Sequence, residues 1–247
     1  MVTAQTISGL PLLLLPGTLC DERVFAPLTD RLPGCEVIVV DMTGAGTTPA
    51  LAEKILSRAP PRFAIAGFSL GGIVALEMIA QAPDRIDRIA LIDTTARPDP
   101  KANAAVRRDA VERSREAGAA SYIEDAWPLF LAPVNAERAE LRALLVDMAE
   151  RGGAAILDSQ SEVAIHRADS RPRLKDIVVP ALVLCGAQDR VCPPEVHREM
   201  AHLIPDATLA VIPDAGHFAL IENPDAVAAH VRAWLAAPAT SSNPPPA

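Results

Sequence analysis

A single serine stands among glycines where one apolar run ends and a longer apolar stretch begins, in the segment GFSLGG at 67–72. A G-x-S-x-G pattern between a strand and a helix is typical of a nucleophile elbow, the tight turn that presents a serine hydroxyl to a crevice. Gly67 and Gly71 leave room for such a turn, and Gly72 lets the following helix approach the sheet. The pattern predicts Ser69 as a nucleophile, and the chemistry expected of it is acyl transfer.

A serine hydroxyl needs a base that takes its proton and an acid that orients this base. Asp189 follows the apolar run PALVLCGAQ, and His217 follows ATLAVIPDAG. Both come just after predicted strands, at the sheet edge where Ser69 is expected. The order Ser, Asp, His predicts that Asp189 orients His217, which deprotonates Ser69. Asp93 also ends a predicted strand and remains an alternative acid, although the GAQDRVCPP context favours Asp189.

Six apolar runs, each ended by Gly, Asp or Pro, supply the elements that must position these side chains. The runs are continuously apolar rather than alternating, which indicates parallel strands covered on both faces. Helical patterns separate them, for example at 71–85 and 222–237. Strand and helix in alternation predict a doubly wound, mostly parallel α/β sheet. The predicted strands lie at 10–17, 36–42, 62–69, 88–95, 180–189 and 207–217.

The alternation of strands and helices stops once, because no strand-like run occurs between Arg97 and Pro180. This stretch is rich in Ala, Glu and Arg, which predicts several inserted helices. We therefore expect a core formed by 1–96 and 175–237, with a helical cap at 97–174. The Pro- and Ser-rich tail at 238–247 is expected to be disordered.

Composition restricts the class of protein. The chain has 247 residues, half of them hydrophobic, with 23 basic and 31 acidic side chains and a net charge of −8. Without a basic cluster, nucleic acid and anionic membranes are not expected as partners. The N-terminal apolar run is too short to span a bilayer, and the cysteines lack metal-site spacing and are expected to be free thiols. We expect a cytoplasmic monomer or homodimer without metal or cofactor. The cysteines are Cys20, Cys35, Cys185 and Cys192.

Five segments give the chain a family resemblance. It resembles the α/β-hydrolases, in the esterase branch that also holds meta-cleavage C–C hydrolases and pimeloyl-carrier methyl-ester esterases. The resemblance covers about residues 10–96 and 175–236, and 97–174 corresponds to the family's variable cap. It implies an α/β-hydrolase fold of about six strands, with one or two leading strands missing or reduced to residues 1–9. The segments are LLLLPG (12–17), DMTGAG (41–46), GFSLGG (67–72), LVLCGAQDRVCPP (182–194) and PDAGHFALIENP (213–224).

The resemblance also implies an oxyanion hole built from backbone N–H groups. Leu70, at the start of the helix after Ser69, is expected to supply one of them. The family usually has His-Gly after the first strand, and this chain has Pro16-Gly17 instead. The next residue, Thr18, is expected to supply the second N–H, with Leu19 as the alternative. The histidine usual in the DMTGAG loop is absent as well.

These residues predict a serine hydrolase that cleaves small carboxylic esters through an acyl-enzyme. C–C bond hydrolysis, perhydrolysis and an elimination use the same side chains and remain alternatives, as does a ligand receptor with slow turnover. An apolar pocket under the cap is expected to hold the ester. His197, His202 and His230 are interpreted as solvated histidines on helices, whereas His166 could face the pocket. The expected pocket residues are Leu19, Trp127, Phe130, Leu131 and Phe218.

Overall fold

The computed structural model describes residues 9–238. The expected reduced leading strands fall almost entirely on residues 1–8, and the expected disordered tail falls on 239–247 except for its first residue. Both predictions therefore lie outside the described residues.

Six parallel strands form one sheet in the order β2-β1-β3-β4-β5-β6. Each strand lies within or overlaps one of the six predicted apolar runs, so the predicted parallel α/β sheet is confirmed. The order reverses direction beside β1, which makes the sheet doubly wound. The strands are β1 (Leu12–Leu15), β2 (Val37–Val39), β3 (Phe63–Phe68), β4 (Ile86–Ile92), β5 (Ala181–Gly186) and β6 (Ala207–Ile212).

The continuous apolar character of the central strands follows from burial on both faces. Leu12 and Leu14 of β1 belong to one hydrophobic cluster, and Leu13 and Leu15 belong to the cluster on the other face. All four side chains are at most 1% exposed. Side chains alternate between the two faces of a strand, so a strand buried on both sides needs apolar residues at every position.

Helices cover both faces of the sheet. The predicted helix at 71–85 ends earlier, at Gln81, because Pro83 begins a short 3₁₀ turn instead. Further 3₁₀ turns span Glu22–Val24, Pro133–Asn135 and Arg171–Asp176. The helices of the core are α1 (Ala26–Thr29), α2 (Thr48–Leu56), α3 (Leu70–Gln81), α7 (Pro194–Leu203), α8 (Ala219–Glu222) and α9 (Pro224–Ala236).

Three helices lie between β4 and β5, in the segment predicted as the cap: α4 (Asn103–Ala117), α5 (Ala120–Phe130) and α6 (Ala139–Ile165). Helix α6 is broken at Gly153, whose φ of 72° lies in the left-handed region that glycine tolerates. The second half of α6 returns to the core, where Val163 accepts a hydrogen bond from the Thr48 hydroxyl at 2.9 Å. No helix within residues 9–238 is both long enough and apolar enough to cross a membrane.

Candidate active site

Ser69 lies in the sharp turn between β3 and α3. Its φ of 51° and ψ of −115° place it in a strained region for a residue with a side chain. Two residues after Ser69 only glycine fits, because a Cβ added to Gly71 would stand 2.0 Å from the carbonyl oxygen of Leu15. A Cβ added to Gly72 would stand 2.5 Å from the Thr94 side chain. The glycines therefore let α3 start directly against the sheet. The Ser69 side chain projects from the turn and does not enter the sheet.

The structure brings Ser69, His217 and Asp189 together from three loops at the carboxyl edge of the sheet. His217 Nε2 lies 2.9 Å from Ser69 Oγ, and His217 Nδ1 lies 2.9 Å from Asp189 Oδ2. An ionised carboxylate can only accept, so Nδ1 donates and Nε2 is left to accept the serine hydroxyl proton. The side chains of His217 and Asp189 are 4% and 0% exposed. The arrangement can therefore move a proton from the serine hydroxyl to an imidazole that is itself buried.

The second oxygen of Asp189 is held by the turn that follows β5. Oδ1 accepts the backbone N–H groups of Val191 and Cys192 at 2.8 and 2.9 Å. These two bonds stabilise the charged carboxylate and fix its plane. Asp189 can therefore orient the imidazole of His217 without help from a further side chain.

Asp93, the alternative acid, lies at the end of β4 and makes no hydrogen bond to His217. Its carboxyl oxygens accept the backbone N–H groups of Gly186 at 2.8 Å and Ala219 at 3.3 Å. Burial, and next the negative charge of Asp189, raise the pKa of Asp93 well above its usual value. Asp93 thus ties the end of β4 to the end of β5 and to α8, whereas Asp189 contacts the histidine.

Glu222 holds the backbone on both sides of His217, a role that the sequence analysis missed. Its Oε1 accepts the N–H groups of Gly216 and Phe218 at 2.8 and 3.2 Å. Its Oε2 accepts Ala132 N–H at 2.8 Å and the Asn135 side chain at 2.9 Å. Glu222 thereby joins the His217 loop to the segment after α5. The available signal was an acidic residue within the apolar segment HFALIENP, five residues after the histidine.

His197 is buried, so its interpretation as a solvated helix residue is wrong. Its side chain is on the inner face of α7, and its Nε2 accepts the backbone N–H of Thr94 at 2.9 Å. The Thr94 hydroxyl in turn donates to the carbonyl of Ser69 at 2.7 Å. Burial lowers the pKa of His197 to about 4. A neutral His197 therefore supports the segment that holds the Ser69 turn. His202 and His230 are exposed, as expected.

Among residues 9–238, the backbone N–H groups of the two expected oxyanion donors have no hydrogen-bond acceptor, whereas the N–H group of the alternative donor has one. Within residues 9–238, the N–H groups of Leu70 and Thr18 donate to no protein group. The N–H of Leu19 donates instead to the side chain of Gln160 on α6, at 2.8 Å. Leu19 is therefore not available as a donor, and of the three expected residues Thr18 and Leu70 keep an N–H group that could receive an oxyanion beside Ser69.

A cavity of about 310 Å³ opens beside Ser69 and His217. Thr18, Leu70, Phe130 and Phe218 line it, as expected for the site. The Phe130 ring is stacked on His217, with centroids 6.2 Å apart, and Phe218 meets the histidine edge-on at 5.7 Å.

Three of the expected pocket residues do not line this cavity. Leu19 points toward α6, where it packs close to Gly152. Trp127 lies under the guanidinium of Arg142, 5.9 Å from its ring centroid. Leu131 is 1% exposed and packs in the core below α5. The position of Trp127 depends on which face of α5 turns inward, and the local apolar pattern did not reveal it.

Charged side chains also line the cavity, contrary to the expectation of an apolar pocket. Asp99, Arg107 and Arg167 form an ion cluster on its wall. His166, the other polar candidate from the cap, lies outside the cavity and contacts Glu162 on its own helix. Within residues 9–238, no three His, Cys, Asp or Glu side chains are grouped to hold a metal ion.

Comparison with known proteins places this geometry in context. The model of the alpha/beta hydrolase family matches residues 12–230. A pimeloyl-[acyl-carrier protein] methyl ester esterase of Xanthomonas campestris pv. campestris is 30% identical, over 93% of this chain and 96% of the relative. A thermophilic esterase from Thermogutta terrifontis, solved with malate bound, is similar with a TM-score of 0.84 and 28% identity, over 92% of this chain and 90% of the other. The enol-lactonase from Burkholderia xenovorans LB400 has a TM-score of 0.83 and 26% identity, with 94% of each chain covered. The resemblance seen in the sequence is confirmed.

Proposed function

Because this chain belongs to the alpha/beta hydrolase family, we propose that it is a serine esterase that hydrolyses small carboxylic esters. The observation that carries the proposal is the run of hydrogen bonds from Asp189 to His217 to Ser69, both 2.9 Å long. The similarity to esterases and to an enol-lactonase, which acts on a cyclic ester as its name states, supports the same bond type.

In the first half of the reaction, the Ser69 oxygen attacks the ester carbonyl as His217 Nε2 takes the hydroxyl proton. The carbonyl oxygen becomes negatively charged and accepts the N–H groups of Leu70 and Thr18. The positive end of α3 adds to this stabilisation. Asp189 keeps Nδ1 protonated and stabilises the imidazolium. His217 then gives its proton to the alkoxide, which leaves as the alcohol.

In the second half, water attacks the acyl-enzyme carbonyl while His217 Nε2 takes one of its protons. The same N–H groups hold the second oxyanion. When the tetrahedral intermediate collapses, His217 returns the proton to Ser69 Oγ and the carboxylic acid is released. The scheme needs no group outside the chain except water.

The proposal is tested by assaying p-nitrophenyl esters of increasing acyl length with wild-type protein and with Ser69→Ala. We expect Ser69→Ala to fold normally and to lose about 10³-fold or more in kcat. Ser57→Ala is the matched control, since its hydroxyl is exposed at the end of α2 and bonds only Lys54 within the described chain. Hydrolysis by pure Ser69→Ala protein at nearly the wild-type rate contradicts the nucleophile assignment.

Covalent labelling separates an esterase from a ligand receptor. A fluorophosphonate should label wild-type protein at Ser69 and leave Ser69→Ala unlabelled. Labelling without turnover of any ester favours the receptor alternative. Turnover of a vinylogous diketone in place of esters favours C–C bond hydrolysis, which uses the same three side chains.

A further inference from the structure

One wall of the cavity beside Ser69 carries a buried ion cluster with more positive than negative charge. Arg107 Nε and Nη2 donate to the two oxygens of Asp99 at 2.9 and 3.2 Å. Arg167 Nη1 lies 2.9 Å from Asp99 Oδ1. All three residues line the cavity that also contains Ser69 and His217. The cluster therefore belongs to the same space in which an ester would bind.

The cluster has a net charge of +1, because two guanidinium groups share one carboxylate. The side chains of Asp99 and Arg167 are 2% and 7% exposed, and that of Arg107 is 28% exposed. Burial would raise the pKa of Asp99, but the hydrogen bond and charge of Arg107, together with the charge of Arg167, outweigh it and hold that pKa below its usual value. The carboxylate thus remains ionised, and one positive charge is left over.

Among residues 9–238, no acid other than Asp99 pairs with Arg107 or Arg167. Asp99 Oδ1 already accepts from Arg107 and from Asn103, at 3.2 and 3.3 Å. Glu199 is paired with Arg97 and Arg171. The hydrogen bonds of these arginines use Nε and Nη2 of Arg107 and Nε and Nη1 of Arg167, so within the described chain Arg107 Nη1 and Arg167 Nη2 donate to no group. A partly buried cation with free donors is costly unless an anion meets it, and a carboxylate fits the planar face of a guanidinium.

We propose that Arg107 and Arg167 bind a free carboxylate on the acyl part of the substrate. The substrates are then half-esters of short dicarboxylic acids, with the ester carbonyl at Ser69 and the second carboxylate at the arginines. Ile73, Ile123 and Phe130 line the same cavity and suit the methylene chain that joins the two groups. This assignment rests on the proposed esterase function and specifies its substrate class.

The test compares monomethyl esters of succinic, glutaric and adipic acid with the methyl esters of monocarboxylic acids of equal chain length. We expect the best half-ester to exceed its neutral counterpart in kcat/KM by about tenfold or more, since a hydrogen-bonded charge pair is worth at least that factor. Arg107→Gln should reduce this ratio by about tenfold, mainly through KM. Arg107→Lys, which keeps the charge and loses the planar fork, should give an intermediate ratio.

Arg113→Gln is the control, because Arg113 lies on the same helix but is exposed and pairs with Asp125. It should leave the ratio at the wild-type value. Thermal melts show whether each variant is folded. If Arg107→Gln does not fold, the wild-type ratio and Arg107→Lys decide. A wild-type ratio near one, or a ratio that Arg107→Gln and Arg107→Lys leave unchanged, overturns the proposal and assigns the cluster a structural role only.

A binding measurement separates failure of this subsite from failure of the esterase function. Ser69→Ala protein is titrated calorimetrically with glutarate, with and without Arg107→Gln. If glutarate binds and its affinity falls about tenfold in the double variant, the result supports the subsite. If the wild-type protein then hydrolyses no ester, the esterase function alone fails. Hydrolysis of neutral esters without glutarate binding overturns the subsite and keeps the esterase function.

Discussion

Two aspartates at the carboxyl edge of the sheet differ in what their oxygens contact. Asp189 bonds His217, whereas the Asp93 carboxylate bonds, within the described residues, only the backbone N–H groups of Gly186 and Ala219. We predict that Asp189→Asn lowers kcat by up to about 10⁴, because an amide can stabilise the wrong tautomer of His217. Asp93→Asn should instead lower stability, by about 1–3 kcal/mol, since its NH₂ group would face a backbone donor.

Steady-state kinetics and urea unfolding of both variants measure the two effects separately. A larger fall in kcat for Asp93→Asn than for Asp189→Asn would reverse the assignment of the acid. Equal and small effects on kcat would leave His217 without an orienting carboxylate.

His197 gives a prediction about pH. Its pKa is lowered from 6.5 to about 4 by burial, so between these values the unfolded chain binds a proton that the folded chain does not. The free energy of unfolding therefore falls as the pH drops below about 6.5. Below about pH 4 the contribution of His197 is lost completely. The loss is about 3 kcal/mol at most, and it should be smaller in His197→Gln. Urea unfolding at pH 7, 5.5 and 4.5 measures it, with the exposed His230→Gln as control. The same pH dependence in His197→Gln and wild type would show that other groups cause it.

Among the elements, α6 reaches from the cap to the loop that carries Thr18. Gln160 accepts the N–H of Leu19 and donates to the carbonyl of Met42, at 2.8 and 3.4 Å. Gln160 is 2% exposed. The bond holds Leu19 at a positive φ of 55° and so fixes the peptide unit next to it. Helix α6, in the segment predicted as the cap, thereby takes part in positioning an expected oxyanion donor.

We predict that Gln160→Met, which keeps the size but removes the acceptor, lowers kcat with little change in KM. Loss of a whole oxyanion donor costs about 10²–10³-fold, so misplacing Thr18 should cost about tenfold or more. Ser159→Ala is the control, because it removes another bond from α6 to the core, to Ala45 at 3.0 Å, away from this loop. If kcat falls equally in both variants, general loosening of the cap is the cause.

The strands and the elbow could be predicted because their signals are local. Apolar runs mark strands buried on both faces, and glycines at 67, 71 and 72 mark the turn where a Cβ would clash. The bond from Leu19 to Gln160 joins residues 141 positions apart and leaves no local pattern. The burial of His197 depends on the neighbours of α7, and the pairing of Asp99 with Arg107 and Arg167 depends on how α4 and α6 pack together. Sequence reasoning therefore recovered the sheet, the elbow and two aromatic residues of the cavity wall, Phe130 and Phe218, but not the ion cluster on that wall.

For the whole molecule, the sign of the charge differs between the chain and its cavity. The chain has a net charge of −8, whereas the cluster of Asp99, Arg107 and Arg167 has +1. Long-range attraction therefore does not bring an anionic substrate to this protein, and local contacts must supply the recognition. Salt screens exposed charges more than buried ones, so a subsite of this kind works over a wide range of ionic strength.

The size of the cavity leads to a prediction about neutral esters. A volume of about 310 Å³ is at the lower end for ligand sites, and one wall is charged. Each added methylene that is buried contributes about 0.8 kcal/mol, so kcat/KM should rise about fourfold per methylene for the shortest acyl chains. Once the chain reaches the ion cluster or fills the cavity, a further methylene meets charge or stays in water. We therefore predict an optimum at short or medium acyl length, followed by a decline.

The p-nitrophenyl ester series measures this optimum directly. Ile123→Trp, which fills part of the cavity, should move the optimum to shorter chains and leave the rate with the acetate ester nearly unchanged. Val106→Trp is the matched control, because Val106 is 63% exposed on α4 and lies outside the cavity, so added bulk there should move nothing. A kcat/KM that keeps climbing to long-chain esters would mean that the acyl chain leaves the cavity past the cap, and the cluster at Asp99 would then not limit its length.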